Sequence, residues 1–206
     1  MKILHTADWH LGQTFYEYDR REEHFHFLEW LKQQIKQHEI DVLLIAGDVF
    51  DSPNPSAESQ RVYYRFLREV TSENPSLQIV IIAGNHDSAA RLEAPNPLLE
   101  DMNIIVRGTV RRNAEGDIDL QHFIVSLYTE GKVTAYCLAV PYLRQGDYPS
   151  AENYSKGVQQ LYEQLFNKVK EKGIPVVAMG HLQATGSEIS EDDRSERTVI
   201  GGLECV

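Results

Sequence analysis

Four short clusters in this 206-residue chain combine carboxylates, imidazoles and one amide at spacings that could hold metal ions over a phosphate. They are Asp8-Trp9-His10, Gly47-Asp48-Val49-Phe50-Asp51, Gly84-Asn85-His86-Asp87-Ser88 and Gly180-His181. Each comes after a short apolar run, respectively Ile3 to Ala7, Asp41 to Ala46, Leu77 to Ala83 and Ile174 to Met179. Asn85 offers a neutral oxygen, His86 stands beside it, and Asp87 is placed to orient that imidazole or to cap the next stretch of chain. In Asp-x-His, alternate residues of an extended segment point the same way, so Asp8 and His10 can converge on one ion.

A mixed set of carboxylate, imidazole and amide donors suits Mn²⁺, Fe or Zn²⁺ rather than a thiolate site. Spread over several strand ends, the set suits two ions about 3.5–4 Å apart, with one bridging carboxylate. Asp48, in the middle of the set, is the natural bridge. Such a pair clamps a phosphate and activates a water, and the departing alkoxide then needs a proton that His86 is placed to give.

The elements that must position these groups are read from periodicity. Arg20 to His38 carries Phe27, Leu28, Leu31 and Ile35 on one stripe, and Ala57 to Thr71 carries Val62, Phe66, Leu67 and Val70, so both are expected as helices. Continuous apolar runs between them predict strands buried on both faces, hence a parallel sheet with helices on its faces. Arg91 to Met102 is expected to be helical and Asn103 to Arg107 extended. The turn signals Ala114-Glu115-Gly116-Asp117 and Thr129-Glu130-Gly131-Lys132 predict antiparallel hairpins, forming a second sheet packed on the first. Ala151 to Lys172 is expected as a long helix with Val158, Leu161, Leu165 and Val169 inward, and Ile174 to Met179 as a buried strand. Ser187 to Arg197 is expected to be an exposed, mobile loop, and Thr198 to Gly202 the start of another strand. His24 and His26, two apart on a presumed helix, are expected on different faces in packing or surface roles. Arg107, Arg111 and Arg112 are expected on a solvated hairpin face in preference to a phosphate contact.

The net charge of −11 argues against a large basic face for nucleic acid, although bound divalent ions or a partner could supply positive potential. No stretch approaches the roughly 18 apolar residues of a membrane span, so no membrane association is expected. Asp8 and His10 interrupt any signal-peptide core at the start. Cys137 and Cys205 are expected as reduced thiols of a cytoplasmic protein.

The four clusters together resemble the successive motifs of the calcineurin-like metallophosphoesterases, and more narrowly the Mre-type nuclease branch of that family. The resemblance runs from Met1 to the last residue. It implies an α/β fold of four layers, two mixed β-sheets flanked by helices, incomplete at the C-terminus. It implies that Asp8, His10 and a bridging Asp48 hold one metal, that Asp48, Asn85 and His181 hold the other, and that His86 is the general acid towards the departing 3′ oxygen. It further implies two divalent ions, Mn²⁺ with Mg²⁺ as the alternative. The activities implied are 3′–5′ exonuclease on double-stranded DNA ends and endonuclease on single strands and hairpins, serving DNA repair and recombination. The implied partners are DNA, an SMC-like ATPase subunit and a second copy of the chain, with early helices pairing the two. Phe15, Tyr16, Phe66 and Val70 are candidates either for that surface or for the core.

One departure from the family pattern stands out. The family's final Gly-His-x-His motif has no counterpart, because no His occurs after His181. The expectation is a truncated nuclease domain over residues 1–206, without capping domain or ATPase-binding tail. Each ion would keep three protein ligands, giving weak metal occupancy and little or no nuclease activity. Three alternatives remain. A phosphoprotein phosphatase would carry Asp-Arg-Gly and Gly-Asn-His-Glu where this chain has Phe50-Asp51-Ser52 and Asn85-His86-Asp87. The others are a small-molecule phosphodiesterase of the same fold and a non-catalytic dimerisation or DNA-end-binding module.

Overall fold

The computed structural model describes residues 1–182. The expected loop from Ser187 and the expected strand from Thr198 lie outside the described residues. The elements run β1 (Ile3–Thr6), β2 (Thr14–Phe15), β3 (Tyr18–Asp19), α1 (Arg21–Gln37), β4 (Val42–Ala46), α2 (Ala57–Glu73), β5 (Gln78–Ile82), α3 (Ala89–Glu93) and α4 (Asn96–Leu99). They continue with β6 (Ile104–Arg107), α5 (Leu120–Phe123), β7 (Ile124–Thr129), β8 (Lys132–Ala139), α6 (Tyr154–Val169) and β9 (Val176–Met179).

Strands β1, β4, β5 and β6 pair in that order, all parallel, so their carboxyl ends share one edge. The order advances in one direction, and right-handed crossovers then put the connecting helices on a single face. The side chains divide accordingly with period two. Leu43, Ile45, Ile79 and Ile81 pack under Leu28, Leu31 and Ile35 of α1 and Phe66, Leu67 and Val70 of α2. Phe66 and Val70 are therefore core residues and cannot line a dimer surface. Val42, Leu44, Ala46, Val80 and Ile82 face the other way, against Val125, Leu127, Ala135, Cys137 and Ala139 of a second sheet. Each large aliphatic side chain buried here contributes roughly 1.5–3 kcal/mol.

The second sheet has the order β7-β8-β9, antiparallel then parallel. Its outer face is covered by Val158, Leu161, Leu165 and Val169 of α6. The layers among the described residues are helices, parallel sheet, mixed sheet and helix. Only the second sheet is mixed over this span.

Several local expectations need correction. Arg91 to Met102 is not one helix: Pro95 and Pro97 lack the N–H that would continue it, and it breaks into α3, α4 and a 3₁₀ turn at Glu100–Met102. The Ala114–Asp117 turn closes only an isolated bridge, Arg112 with Ile118, because Asp119 caps α5 directly afterwards. The Glu130–Gly131 turn does close a hairpin, with positive φ at both residues as tight hairpins require. β9 buries only Met179 fully.

In the arginine cluster Arg111 and Arg112 are exposed, as expected, whereas Arg107 is half-buried, and all three are bonded within the chain. Arg107 donates to the His122 carbonyl, and Arg111 pairs with the buried Glu93 carboxylate. Arg112 donates to the carbonyls of Gly116 and Gly146. Glu93 also accepts from Gly108 N, Thr109 N and Thr109 Oγ1 at 3.1, 2.8 and 2.7 Å. Burial raises its pKa, but the Thr109 bonds and Arg111 outweigh that and leave it lowered.

Candidate metal centre

All four clusters leave strands at or beside the carboxyl edge of the sheet. Past β1 and β4 the backbone pairing continues irregularly: Asp8 N donates to Gly47 O at 3.1 Å, His10 N to Asp48 O at 2.9 Å and Leu11 N to Val49 O at 2.9 Å. These bonds hold Asp8, His10 and Asp48 in the left-handed region, at φ 58°, 46° and 49°. Asp, Asn and His tolerate that region better than most side chains. The Asp8-Trp9-His10 segment is thus not extended, as simple alternation predicts. Trp9 instead turns inward, its ring edge-on to Phe27 and Phe66 and its Nε1–H donating to Thr6 Oγ1, which leaves Asp8 and His10 facing the site.

Asp48 is the hub. Its Oδ1 accepts the His86 backbone N–H at 2.8 Å. Its Oδ2 stands 3.8 Å from His10 Nε2, 3.5 Å from His181 Nε2 and 4.0 Å from His86 Nε2. Glycines make this approach possible. A Cβ on Gly84 would overlap the Asp48 carboxylate, and one on Gly47 would overlap the His181 ring.

The histidines are oriented from behind. His181 Nδ1–H donates to the Ala46 carbonyl at 2.8 Å, turning Nε2 towards Asn85 Oδ1 at 2.9 Å and towards Asp48. His86 Nδ1–H donates to the Asp51 carbonyl at 3.0 Å. His10 Nδ1 is buried without a hydrogen bond, 3.5 Å from Asp51 Oδ1. The His10 and His86 rings meet edge-to-face at 4.9 Å.

Asp87 does neither task expected of it. Buried to 1% exposure, it accepts from Gly84 N (2.9 Å), Val49 N (3.2 Å) and Phe50 N (3.0 Å), tying the loop after β4 to the loop after β5. Burial raises its carboxyl above the usual range, against the pull of those N–H groups.

The electrostatics match a site short of positive charge. Burial raises the Asp8 pKa, and Asp48 adds to the rise. Asp48 is also pushed up by burial, but the His181 bond and charge and the His86 N–H outweigh it and leave it lowered. Burial would lower His181, yet Asp48 lifts it to about 9. A proton on His181 Nε2 therefore faces two accepting oxygens, Asn85 Oδ1 and Asp48 Oδ2, supplying charge that a cation could supply instead.

Donor atoms of Asp8, Asp48 and His181 lie within 4.8 Å of one another, as do those of His10, Asp51 and His86. These carboxylate and imidazole donors, from the buried Asp48, His10 and His86 to the exposed Asp8, suit divalent metal binding. All five expected ligands, with His86, face this one edge. Asp51, the one group sequence reasoning left without a role, joins them; its place in Gly-Asp-Val-Phe-Asp was the available signal. His24 and His26 stay apart from both groups, His24 buried and His26 exposed. Among the described residues, no helix is long and apolar enough to cross a membrane.

The family model for calcineurin-like phosphoesterases matches residues 1–202. The chain is 40% identical, over an alignment of 218 residues, to the D subunit of the nuclease SbcCD from Rhodobacter capsulatus, covering 100% of this chain and 53% of that relative. It is 30% identical to the protein of the same name from Escherichia coli K12, covering 100% of this chain and 52% of that one. A third relative of that name, from Bacillus subtilis, is 42% identical over 108 residues, 52% of this chain and 27% of its own length. The chain spans about half the length of the first two relatives. With a family model matched along nearly all of its length and the donor clusters of a metal centre at the sheet edge, the chain belongs to the calcineurin-like phosphoesterase family.

Proposed function

We propose that this chain is the nuclease domain of a metal-dependent DNA nuclease subunit, with residues 1–206 all belonging to that domain. The observation that carries the reading is the ring of three imidazole Nε2 atoms within 4.0 Å of one buried carboxylate oxygen, Asp48 Oδ2. Asp8, His10 and Asp48 would hold one divalent ion, and Asp48, Asn85 and His181 the second, with Mn²⁺ preferred and Mg²⁺ the alternative. Such ions, when bound, lower the pKa of water and neutralise charge on a phosphodiester.

The chain's own groups do the rest. Asp48 joins the two halves of the site, and the carbonyls of Ala46 and Asp51 fix the tautomers of His181 and His86. With Nδ1–H committed to the Asp51 carbonyl, His86 presents Nε2 to the site, and as the doubly protonated imidazolium it would give the Nε2 proton to the departing 3′ oxygen, reverting to the neutral Nδ1–H tautomer. Asp8, whose side chain is 55% exposed, marks the side open to substrate.

The proposed reactions are 3′–5′ exonuclease at double-strand ends and endonuclease on single strands and hairpins. The similar proteins are named as one component of a nuclease, which supports a partner chain; the family resemblance makes it an SMC-like ATPase. A homodimer would form through α1, where Phe25 and Trp30 are exposed.

Mn²⁺ titration by calorimetry, with cleavage of a 3′-labelled DNA hairpin and a linear duplex, tests the reading. Mn²⁺ binding and metal-dependent cleavage, both lost in Asp48→Asn, would support it. Mn²⁺ binding unchanged in that variant, or preference for a cyclic nucleotide over the hairpin, would overturn it.

A further inference from the structure

The hairpin of β2 and β3 carries three aromatic side chains in four residues, and solvent reaches all of them: Phe15 is 63% exposed, Tyr16 74% and Tyr18 78%. Isolated exposed aromatics are ordinary, but three together on a two-strand ribbon form a patch that calls for a partner. We propose that this hairpin is a stacking platform for unpaired bases of the nucleic acid whose backbone enters the metal centre; the inference rests on the nuclease reading above.

Position is the first argument. The hairpin begins four residues after His10, and Gln13 N donates to the His10 carbonyl at 2.9 Å. Arg20 closes its base, donating from its backbone to Gln13 O and from its side chain to Gln13 Oε1 and Glu23. Asp19 accepts from Arg21 N at 2.8 Å, fixing the end of β3 to the start of α1. The platform is therefore anchored directly to a proposed metal ligand.

Its conformation is the second. Tyr16 and Glu17 form the turn at φ 46° and 69°, positions where Gly or Asn would sit with less strain. A bulky ring held in the left-handed region is uncommon and points to use of that ring. The Phe15 and Tyr16 rings meet edge-to-face at 4.7 Å, so the tip presents an ordered aromatic surface.

Charge decides what kind of contact this is. The chain has 31 acidic residues against 20 basic ones, and beside the hairpin Glu17, Asp19, Glu22 and Glu23 outnumber Arg20 and Arg21, which are themselves paired with Glu23 and Asp19. Phosphates gain little there. The cavity of about 110 Å³ at its root is lined by Asp19, Arg21, His24, Ser56, Glu58 and Ser59 among others, and its one arginine is already paired with Asp19. Base stacking needs no positive charge, and every base has a face to offer.

The test uses the full chain in EDTA, where no cleavage can occur. Its ligands are a duplex with an unpaired 3′ end carrying 2-aminopurine and a blunt duplex of the same sequence. The unaltered protein should quench the 2-aminopurine and prefer the unpaired end. Phe15→Leu with Tyr18→Leu should abolish the quench and weaken that preference about tenfold, whereas Tyr18→Phe should keep both. Tyr16→Asn relieves the turn, so it should lose quench while melting no lower than the parent, which separates stacking from misfolding. Equal quench and affinity in the leucine variant would overturn the proposal. Loss of a dimer by sedimentation in that variant would also overturn it, assigning the rings to a second copy. Absence of quench in the unaltered protein would sink the platform alone if Mn²⁺-dependent hairpin cleavage is still observed.

Discussion

His181 Nδ1 lies 2.8 Å from the carbonyl oxygen of Ala46, the last residue of β4, across 135 positions of sequence. The bond fixes one tautomer and aims Nε2 at Asn85 and Asp48. With the pKa raised from 6.5 to about 9, the folded metal-free chain holds a proton that the unfolded chain releases above pH 6.5. Its contribution is full below pH 6.5 and is lost as pH rises to about 9, at most about 3 kcal/mol. Urea melts in EDTA should show that decline. Mn²⁺ binding near pH 7.5 should release about one proton, visible as a buffer-dependent calorimetric enthalpy. Binding enthalpies equal in all buffers would contradict the arrangement.

His86→Asn should lower DNA cleavage about 10²–10⁴-fold while leaving Mn²⁺ affinity within a few-fold, because the ring is assigned a proton rather than an ion. The leaving group sharpens the measurement. A p-nitrophenyl phosphodiester expels a stable anion that needs little protonation, so its hydrolysis should suffer far less. Equal losses on both substrates would remove the acid role.

Asp87→Ala should unfold the protein more readily by about 3 kcal/mol, since three buried N–H groups lose their acceptor at once. Asp87→Asn keeps one acceptor oxygen and should lose less. Chemical denaturation of both variants in EDTA isolates this effect from any ion.

His122 works on the acidic side. Burial, with Arg107 and Arg111 nearby, depresses its pKa from 6.5 to about 4, and its Nε2 lies buried without a hydrogen bond. Between those pH values the unfolded chain binds a proton that the folded chain refuses. Stability should therefore fall as pH drops from about 6.5 to about 4, by roughly 3 kcal/mol in total. His122→Phe should flatten that part of the profile; an unchanged slope would place the cause elsewhere.

Much of this was legible in the residues. The runs Val42 to Ala46 and Ile79 to Ala83 are apolar at every position because both strand faces are covered, and that pattern is hard to mistake. The inward stripes of α1, α2 and α6 were equally plain, except that Tyr63, fully buried, hid behind a polar hydroxyl. What periodicity could not convey was loop conformation. Asp8 and His10 converge through left-handed backbone rather than through strand alternation. Asp87 reaches across to Val49 and Phe50, nearly forty positions away, and no local pattern encodes such a contact. The Glu93–Arg111 pairing was invisible for the same reason.

Asp8 and His181 lie 173 positions apart (181 − 8) and share one cluster of donor atoms. No stretch of chain shorter than that can bring both ends of the cluster together. A cation captured there would reward only the complete arrangement, so its affinity adds to the cooperativity of the whole molecule and not to any one part. Metal supply in the cell would then set how long the newly made polypeptide survives proteolysis, quite apart from what it catalyses.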